Sequence, residues 1–289
     1  MKRYSFLIPE DAADGRLLAL VKRMLPELSD RAIRDAFARK DVKQNGKRTD
    51  AHASLIPGAE VCLYTPEGEE GKPISILYRD DDLLVAVKPR GVSCGRDAKG
   101  GKTVTDLVWD ALRRDEPQAR EPLLCHRLDN QTDGVILLAR NQAAQQAMEA
   151  AFRERRVLKR YQCLVKGTPR TAHQTLRGWL VKDAESATVR VVSHSASNTL
   201  SIVTEYTVLE PGDCARLEVL PHTGRTHQIR AHMASIGHPL LGDDKYGDRD
   251  FNKRFKAKRL MLCAVSLSFA LEGKWAYLNP MTFSIDPPF

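Results

Sequence analysis

A carboxylate set between a basic residue and a run of turn formers is the first place where this chain could do chemistry. In His126-Arg127-Leu128-Asp129-Asn130-Gln131-Thr132-Asp133-Gly134, Arg127 and Asp129 share a side if the segment is extended, because successive side chains of a strand alternate faces. A carboxylate placed there can act as acid, base or nucleophile, or stabilise a developing positive charge. Asp, Asn, Thr and Gly are also the usual turn residues, so taken alone the stretch reads first as a turn. Cys125 and His126 would point to opposite faces of such a strand, which disfavours a Cys–His dyad.

A second constellation runs from Pro221 to His238, where four of the eight histidines fall. It begins as a loop and becomes a helix, with Thr223 or Thr226 as cap, Ile229, Met233 and Ile236 as the apolar stripe and Gly237 as the end. His227 and His232 stand five apart, about 140° round a helix, whereas helical metal ligands sit three or four apart. No metal site is expected. Arg225, His227 and Arg230 at the start of the helix read instead as a phosphate-binding end.

These residues need a scaffold, and 289 residues with 42% hydrophobic and 28% charged content supply one of ordinary globular type. A net charge of +8 points to a polyanionic partner, nucleic acid before membrane. There is no leader-like apolar segment behind Met1 and no run of transmembrane length, so a cytoplasmic protein is expected. Six cysteines lie far apart without a CxxC pair and read as reduced, mostly buried thiols.

The elements that must position the two constellations follow from periodicity. Leu83–Val87 and Val135–Ala139 are short apolar runs that read as buried strands. The segment before the second is expected as a strand with Leu124, His126 and Leu128 on one face. Helices are expected around Val104–Leu112, after the glycine-rich Gly95–Gly101 loop, and around Ala144–Phe152, capped near Asn141. Lys159–Gly167 reads as a strand with Tyr161, Cys163 and Val165 on one side, and several more strands fall between 174 and 221. Many strands and few helices without regular alternation indicate an α+β fold.

Residues 1–64 form a small unit of their own, followed by a polar linker at 65–73 and a larger domain at 74–289. Leu17, Leu18, Val21 and Leu25, after Asp14, mark one helix; Ser29 caps a second with Ala32, Ile33, Ala36 and Phe37 inward. Val42-Lys43-Gln44, Asn45-Gly46 and Lys47-Arg48 make a hairpin. Between 29 and 48 seven basic residues face three acidic ones, Arg31, Arg34, Lys43 and Lys47 among them. With Gly15-Arg16-Leu17, Ser29 to Ile33 and Asp41 to Lys47, the unit resembles the small RNA-binding domain of two helices and a hairpin first known from a ribosomal small-subunit protein.

His126-Arg127-Leu128-Asp129 with Thr132 and Gly134, and Thr223-Gly224-Arg225-Thr226-His227-Gln228-Ile229-Arg230-Ala231-His232, resemble the two signature motifs of the RluA-type pseudouridine synthases. Lys88-Pro89 with Gly91, Lys159–Gly167, Gly237–Asp243, Tyr246-Gly247 and Met281–Phe283 extend the likeness over about residues 74–289. Asp133 stands where that family usually has Ser, Val87 where Asn is common and Cys263 where His is common.

The resemblance implies a mixed, largely antiparallel sheet with flanking helices, and isomerisation of uridine in RNA without cofactor or metal. By likeness Asp129 is the catalytic carboxylate, Arg230 its cationic partner, and Tyr161 the aromatic that stacks on the uracil. Arg127 would fill the gap left by the flipped base, and Arg225, His227 and Ile229 would contact substrate RNA. Ribosomal RNA is expected before tRNA, on a monomeric enzyme with no membrane partner. Two other classes compete: a metal-dependent RNA hydrolase built on the histidines and Asp129, and a non-catalytic RNA-binding protein that keeps the fold.

Overall fold

The first element, a strand from Lys2 to Leu7 (β1), is one that the periodicity of the N-terminal unit does not announce. It alternates buried Tyr4 with exposed basic neighbours and pairs antiparallel with β4 (Glu60–Thr65). The computed structural model describes residues 1–12, 15–25, 28, 30–66, 74–95, 102–183 and 188–289. It divides between Pro73 and Ile74 into two compact units with separate cores.

In the first unit, α1 (Leu17–Met24) and α2 (Asp30–Ala38) lay Leu17, Leu20, Val21, Ile33 and Ala36 on a sheet of order β1-β4-β2-β3. β2 (Val42–Gln44) and β3 (Lys47–Arg48) join through Asn45 and Gly46, both at positive φ (49° and 77°), as a two-residue hairpin loop requires. Arg34 and Lys47 are exposed, while Lys43 lies 5.5 Å over the Tyr64 ring. The expected caps Asp14 and Ser29, the side chain of Arg31, and residues 67–73 of the linker and 96–101 of the glycine-rich loop lie outside the described residues.

The second unit is built on one sheet. β5 (Ser75–Arg79) and β6 (Leu83–Lys88) lead into α3 (Val104–Asp115), whose start is closed by a reciprocal pair of hydrogen bonds between Thr103 and Asp106. β7 (Leu123–Leu124), β8 (Asp133–Ala139) and α4 (Gln142–Arg153) follow, with Asn141 capping α4 through Ala144 N–H at 2.9 Å. Then come β9 (Val157–Lys166), β10 (His173–Asp183), β11 (Thr188–Val192), β12 (Thr199–Glu210) and β13 (Cys214–Pro221). α5 (Gln228–Ser235), α6 (Arg249–Arg254), β14 (Leu262–Phe269), a 3₁₀ turn at Gly273–Leu278 and β15 (Thr282–Ser284) complete it.

The strand order is β11-β10-β12-β13-β9-β14-β8-β6-β5, antiparallel throughout except for β14 against β8. The apolar runs in β6 and β8 are continuous because both faces are covered. Leu84, Ala86, Ile136 and Leu138 lie in one core with residues of α3 and α5, and Leu83, Val85, Val135 and Leu137 in another with residues of α4. On β9, Tyr161, Cys163 and Val165 are buried on the α3/α5 face. All six cysteines are free thiols, five of them buried. No helix among the described residues is long and apolar enough to cross a membrane.

Candidate active site

Asp129 follows a segment that fills a break in this sheet. Strand β8 is flanked on one side by β14 only at Asp133–Gly134 and by β7 only at Leu138–Ala139. Between them the ladder is completed by the incoming chain: Leu137 N–H donates to His126 Nε2 at 3.0 Å, and Leu137 C=O accepts from Cys125 N–H at 3.4 Å. The strand expected over Leu123–Asp129 is thus only two residues long. Leu124 and Leu128 do face one core, but His126 turns away from it to pack on Phe152, ring centroids 4.5 Å apart. Burial, with the Lys159 charge adding, pushes the His126 imidazole down to about 3. It serves the sheet as a neutral acceptor.

The turn after His126 is held from below by the loop that follows β6. Leu128 N–H and C=O both meet Cys94 Sγ (3.3 and 3.4 Å), and Asn130 C=O accepts from Gly91 N–H at 2.8 Å and from Lys88 Nζ at 3.2 Å. Lys88 is fully buried. Desolvation lowers its ammonium to about 8, against the pull of Cys94, Asp133 and Asp129. Gly134 leaves this turn at φ 133° with no room for a side chain, since a Cβ would stand 2.3 Å from Ala264 C=O.

The opposite wall is the β13–α5 loop, and Gln228 shapes it. Its Oε1 accepts from the Thr223 hydroxyl (2.7 Å) and Arg225 N–H (3.1 Å), and its Nε2 donates to Val203 C=O and Thr204 Oγ1 at 3.0 Å each. Neither Thr223 nor Thr226 caps α5. His227 occupies the cap position in the left-handed region (φ 55°), and Thr223 is committed to Gln228 and Val203. Gly237, at φ 85°, ends the helix as expected.

Arg230 is not free to bind phosphate. Its Nε and Nη2 donate to the two carboxylate oxygens of Asp243 at 2.7 Å each, Nη2 also reaches Asp244 at 2.9 Å, and Nη1 lies 3.9 Å from Asp129 Oδ2. The Tyr246 ring lies 5.2 Å from the guanidinium, and the Tyr246 hydroxyl accepts from Val189 N–H and meets His227 Nδ1 at 2.9 Å. Burial lowers the His227 imidazole, opposed by the Asp129 charge and aided by Arg230. The histidines of this segment each have a protein partner: His222 with Glu205, His227 with Tyr246, His232 with Thr204 and His238 with Lys166 C=O.

Between the two walls lies a cavity of about 520 Å³. Asp129, Arg127, Tyr161, Arg225, His227, Ile229 and Arg230 all line it, brought together from three separate stretches of chain. Among the described residues Asp129 is the single acidic one that lines it, one carboxylate in a basic cleft. Tyr161 is buried beside it, and desolvation together with the Asp129 charge keeps its phenol protonated well above the ordinary range. Arg34, Lys43 and Lys47 belong to the other unit.

Sequence reasoning passed over Lys88, Cys94, Asp243 and Tyr246 as working parts. The sole signal for Asp243 and Tyr246 was their place in the second motif's tail; Lys88 had the strand-ending Lys-Pro pair. Asp133, one of the three departures from that family's pattern, is not among the residues that line the cavity. Its carboxylate accepts from Arg90 N–H at 2.8 Å, and Cys263 is its cross-strand neighbour, so two of the three unusual residues meet in the sheet. Burial, with the Asp133 charge, raises the Cys263 thiol to about 12.

A basic cleft with a carboxylate, set on a largely antiparallel sheet, is the kind of site that a nucleic-acid-directed enzyme of α+β fold presents. Comparison with known proteins agrees. Residues 82–235 match the family described as RNA pseudouridylate synthase. The chain is 32% identical to ribosomal large subunit pseudouridine synthase C of Vibrio cholerae, over 91% of this chain and 87% of that one. It is 31% identical to the protein of the same name in Escherichia coli, over 92% and 88%. Among solved structures, human RNA pseudouridylate synthase domain containing 1 superimposes with a TM-score of 0.58 at 28% identity, covering 75% of this chain and 83% of that chain. The chain belongs to the RNA pseudouridylate synthase family, and it is an RNA pseudouridine synthase.

Proposed function

We propose that this enzyme isomerises uridines of large-subunit ribosomal RNA, with Asp129 as the catalytic carboxylate. The observation that carries the reading is the setting of Asp129: sole acid of the cavity, 3.9 Å from Arg230 and beside Tyr161. In the reaction the bond from ribose C1′ to uracil N1 breaks, the base rotates, and C1′ joins C5. The proton of C5 is lost and N1 gains one, so no oxidant or hydrolytic water is consumed. Cleavage leaves cationic character on the ribose, which a carboxylate can stabilise or attack. Arg230 sets a positive charge 3.9 Å from Asp129, Tyr161 stacks on the uracil, and Arg127 fills the space left by the flipped nucleotide.

The ribosomal substrate is supported by the names of the relatives and by the basic helix–hairpin unit at residues 1–64, which we assign to RNA binding through Arg31, Arg34, Lys43 and Lys47. A monomer acting in the cytoplasm completes the proposal. Pseudouridine mapping in total RNA from cells with and without the gene tests it. At least one position in large-subunit ribosomal RNA should lose its modification and regain it with the wild-type gene, but not with Asp129→Asn. Identical maps would overturn the assignment.

A further inference from the structure

Neighbouring cations at the end of α4 and the start of β9 divide by what they do with their charge. Arg156 pairs with Glu154 and Glu272 at 3.1 Å, and Arg160 pairs with Glu218 at 2.7 Å. Arg153, Arg155 and Lys159 line the cavity instead, and none has an acidic partner among the described residues. The division follows the face: cations turned outward are paired, and those turned to the cavity are left open.

Lys159 is the most enclosed of the three. Its ammonium lies 5.4 Å over the Phe152 ring, and Gly224 of the Thr-Gly-Arg loop stands across from it, where a Cβ would come to an ordinary contact of 3.4 Å from Nζ. Burial holds the ammonium below its ordinary range. A desolvated cation without a counter-charge is costly until an anion arrives. The one carboxylate in the cavity, Asp129, already faces Arg230.

We propose that Lys159, with Arg155 beside it and Gly224 across from it, forms a phosphate subsite that takes the phosphodiester next to the isomerised uridine. The subsite rests on the RNA-isomerase reading above. A neutral nucleobase edge would not need a wall of cations without acidic partners, whereas a phosphate supplies the missing charge. The subsite and Asp129 share one cavity of about 520 Å³, the size that encloses a single small ligand. The anion is therefore that of the nucleotide in the site or of its immediate neighbour.

The test uses the full chain with its lysines ¹³C-methylated, so that each ammonium titrates in its own NMR signal. Lys159→Met identifies the Lys159 resonance by its loss. Uridine 5′-monophosphate should move that resonance and raise its titration midpoint, and uridine should not. Equal effects of the two, or none from either, would overturn the subsite.

A second measurement uses an RNA that the wild type isomerises. Lys159→Met should flatten the log–log salt dependence of Kd by about 0.7 to 0.9, whereas Arg160→Gln, whose charge is committed to Glu218, should change it by less than half as much. Equal slopes for Lys159→Met and wild type would sink the subsite even with isomerisation established. If the wild type isomerises no RNA, the functional reading fails, and the mononucleotide titration still decides the subsite.

Discussion

Arg230 grips Asp243 through two hydrogen bonds of 2.7 Å, while its nearest nitrogen to Asp129 stands 3.9 Å away. The tight pair is the buried one, with the Asp243 side chain wholly inaccessible. Asp129 receives the field of the guanidinium without surrendering its lone pairs to it, and they stay available to the ribose. Burial works to raise the Asp243 carboxyl, and the Arg230 hydrogen bonds and charge, with two backbone N–H groups, outweigh it. Asp243→Asn should therefore cost about 3–5 kcal/mol, because it leaves a buried guanidinium short of its counter-charge. Urea denaturation at neutral pH measures this, and a loss under about 1 kcal/mol would show that Asp244 and Asp129 suffice as partners.

Asp129→Asn should abolish isomerisation, by about a thousandfold or more on the scale of lost catalytic carboxylates, and leave RNA affinity nearly unchanged. The amide keeps the shape and loses the charge. Tritium release from 5-tritiated RNA follows turnover, and activity within tenfold of wild type in a folded variant would remove Asp129 from its central role.

Acid should destabilise the protein well above the carboxylate range. Burial pushes His126 down to about 3, with Lys159 adding to the effect, and His232 down to about 4. Unfolded histidine titrates near 6.5, so between that value and the folded ones only the unfolded chain binds the proton. Stability is intact above about 6.5 and falls as pH drops, by roughly 1 kcal/mol per pH unit for each histidine. Asp243, held low, adds its own loss only below about pH 4. Urea midpoints measured from pH 7 to 4 should slope accordingly and flatten in His232→Asn; a level profile in the wild type refutes the buried-neutral assignment.

Gly134→Ala should be strongly destabilising. A Cβ there meets Ala264 O at 2.3 Å and Ala264 N at 2.5 Å, backbone atoms of the strand that pairs with β8, at a φ of 133° that L residues avoid. Loss of more than about 3 kcal/mol is expected, or insoluble expression. Thermal unfolding unchanged from wild type would contradict the close approach of β8 and β14.

Deleting residues 1–70 should leave a folded domain that still isomerises short RNA at high concentration, since the cores of the two units share no residue. Affinity for structured RNA should fall, and its salt dependence should become shallower by roughly 0.7 to 0.9 for each phosphate that the first unit no longer neutralises. An unchanged slope would mean that the basic face of that unit is only solvated.

The sequence by itself carried the local rules. Apolar runs at 83–87 and 135–139 became buried strands, the Asn45-Gly46 hairpin formed, and Asn141 capped its helix. The two polar motifs stood out because short-range spacing records which side chains can share a face. What sequence could not decide was pairing across long separations. β1 needs β4, with Lys2 opposite Thr65 and Leu7 opposite Glu60, before its edge position has meaning.

Tertiary structure also reassigned partners. The segment before Asp129 is a strand for only two residues, because β14 and β7 divide one side of β8 and His126 fills the gap. Arg230 was legible as a cation near Asp129, yet its strongest partner is Asp243, thirteen residues on across the end of a helix. A charge's partner is set by distance and desolvation, and both exist only once the chain has closed around it.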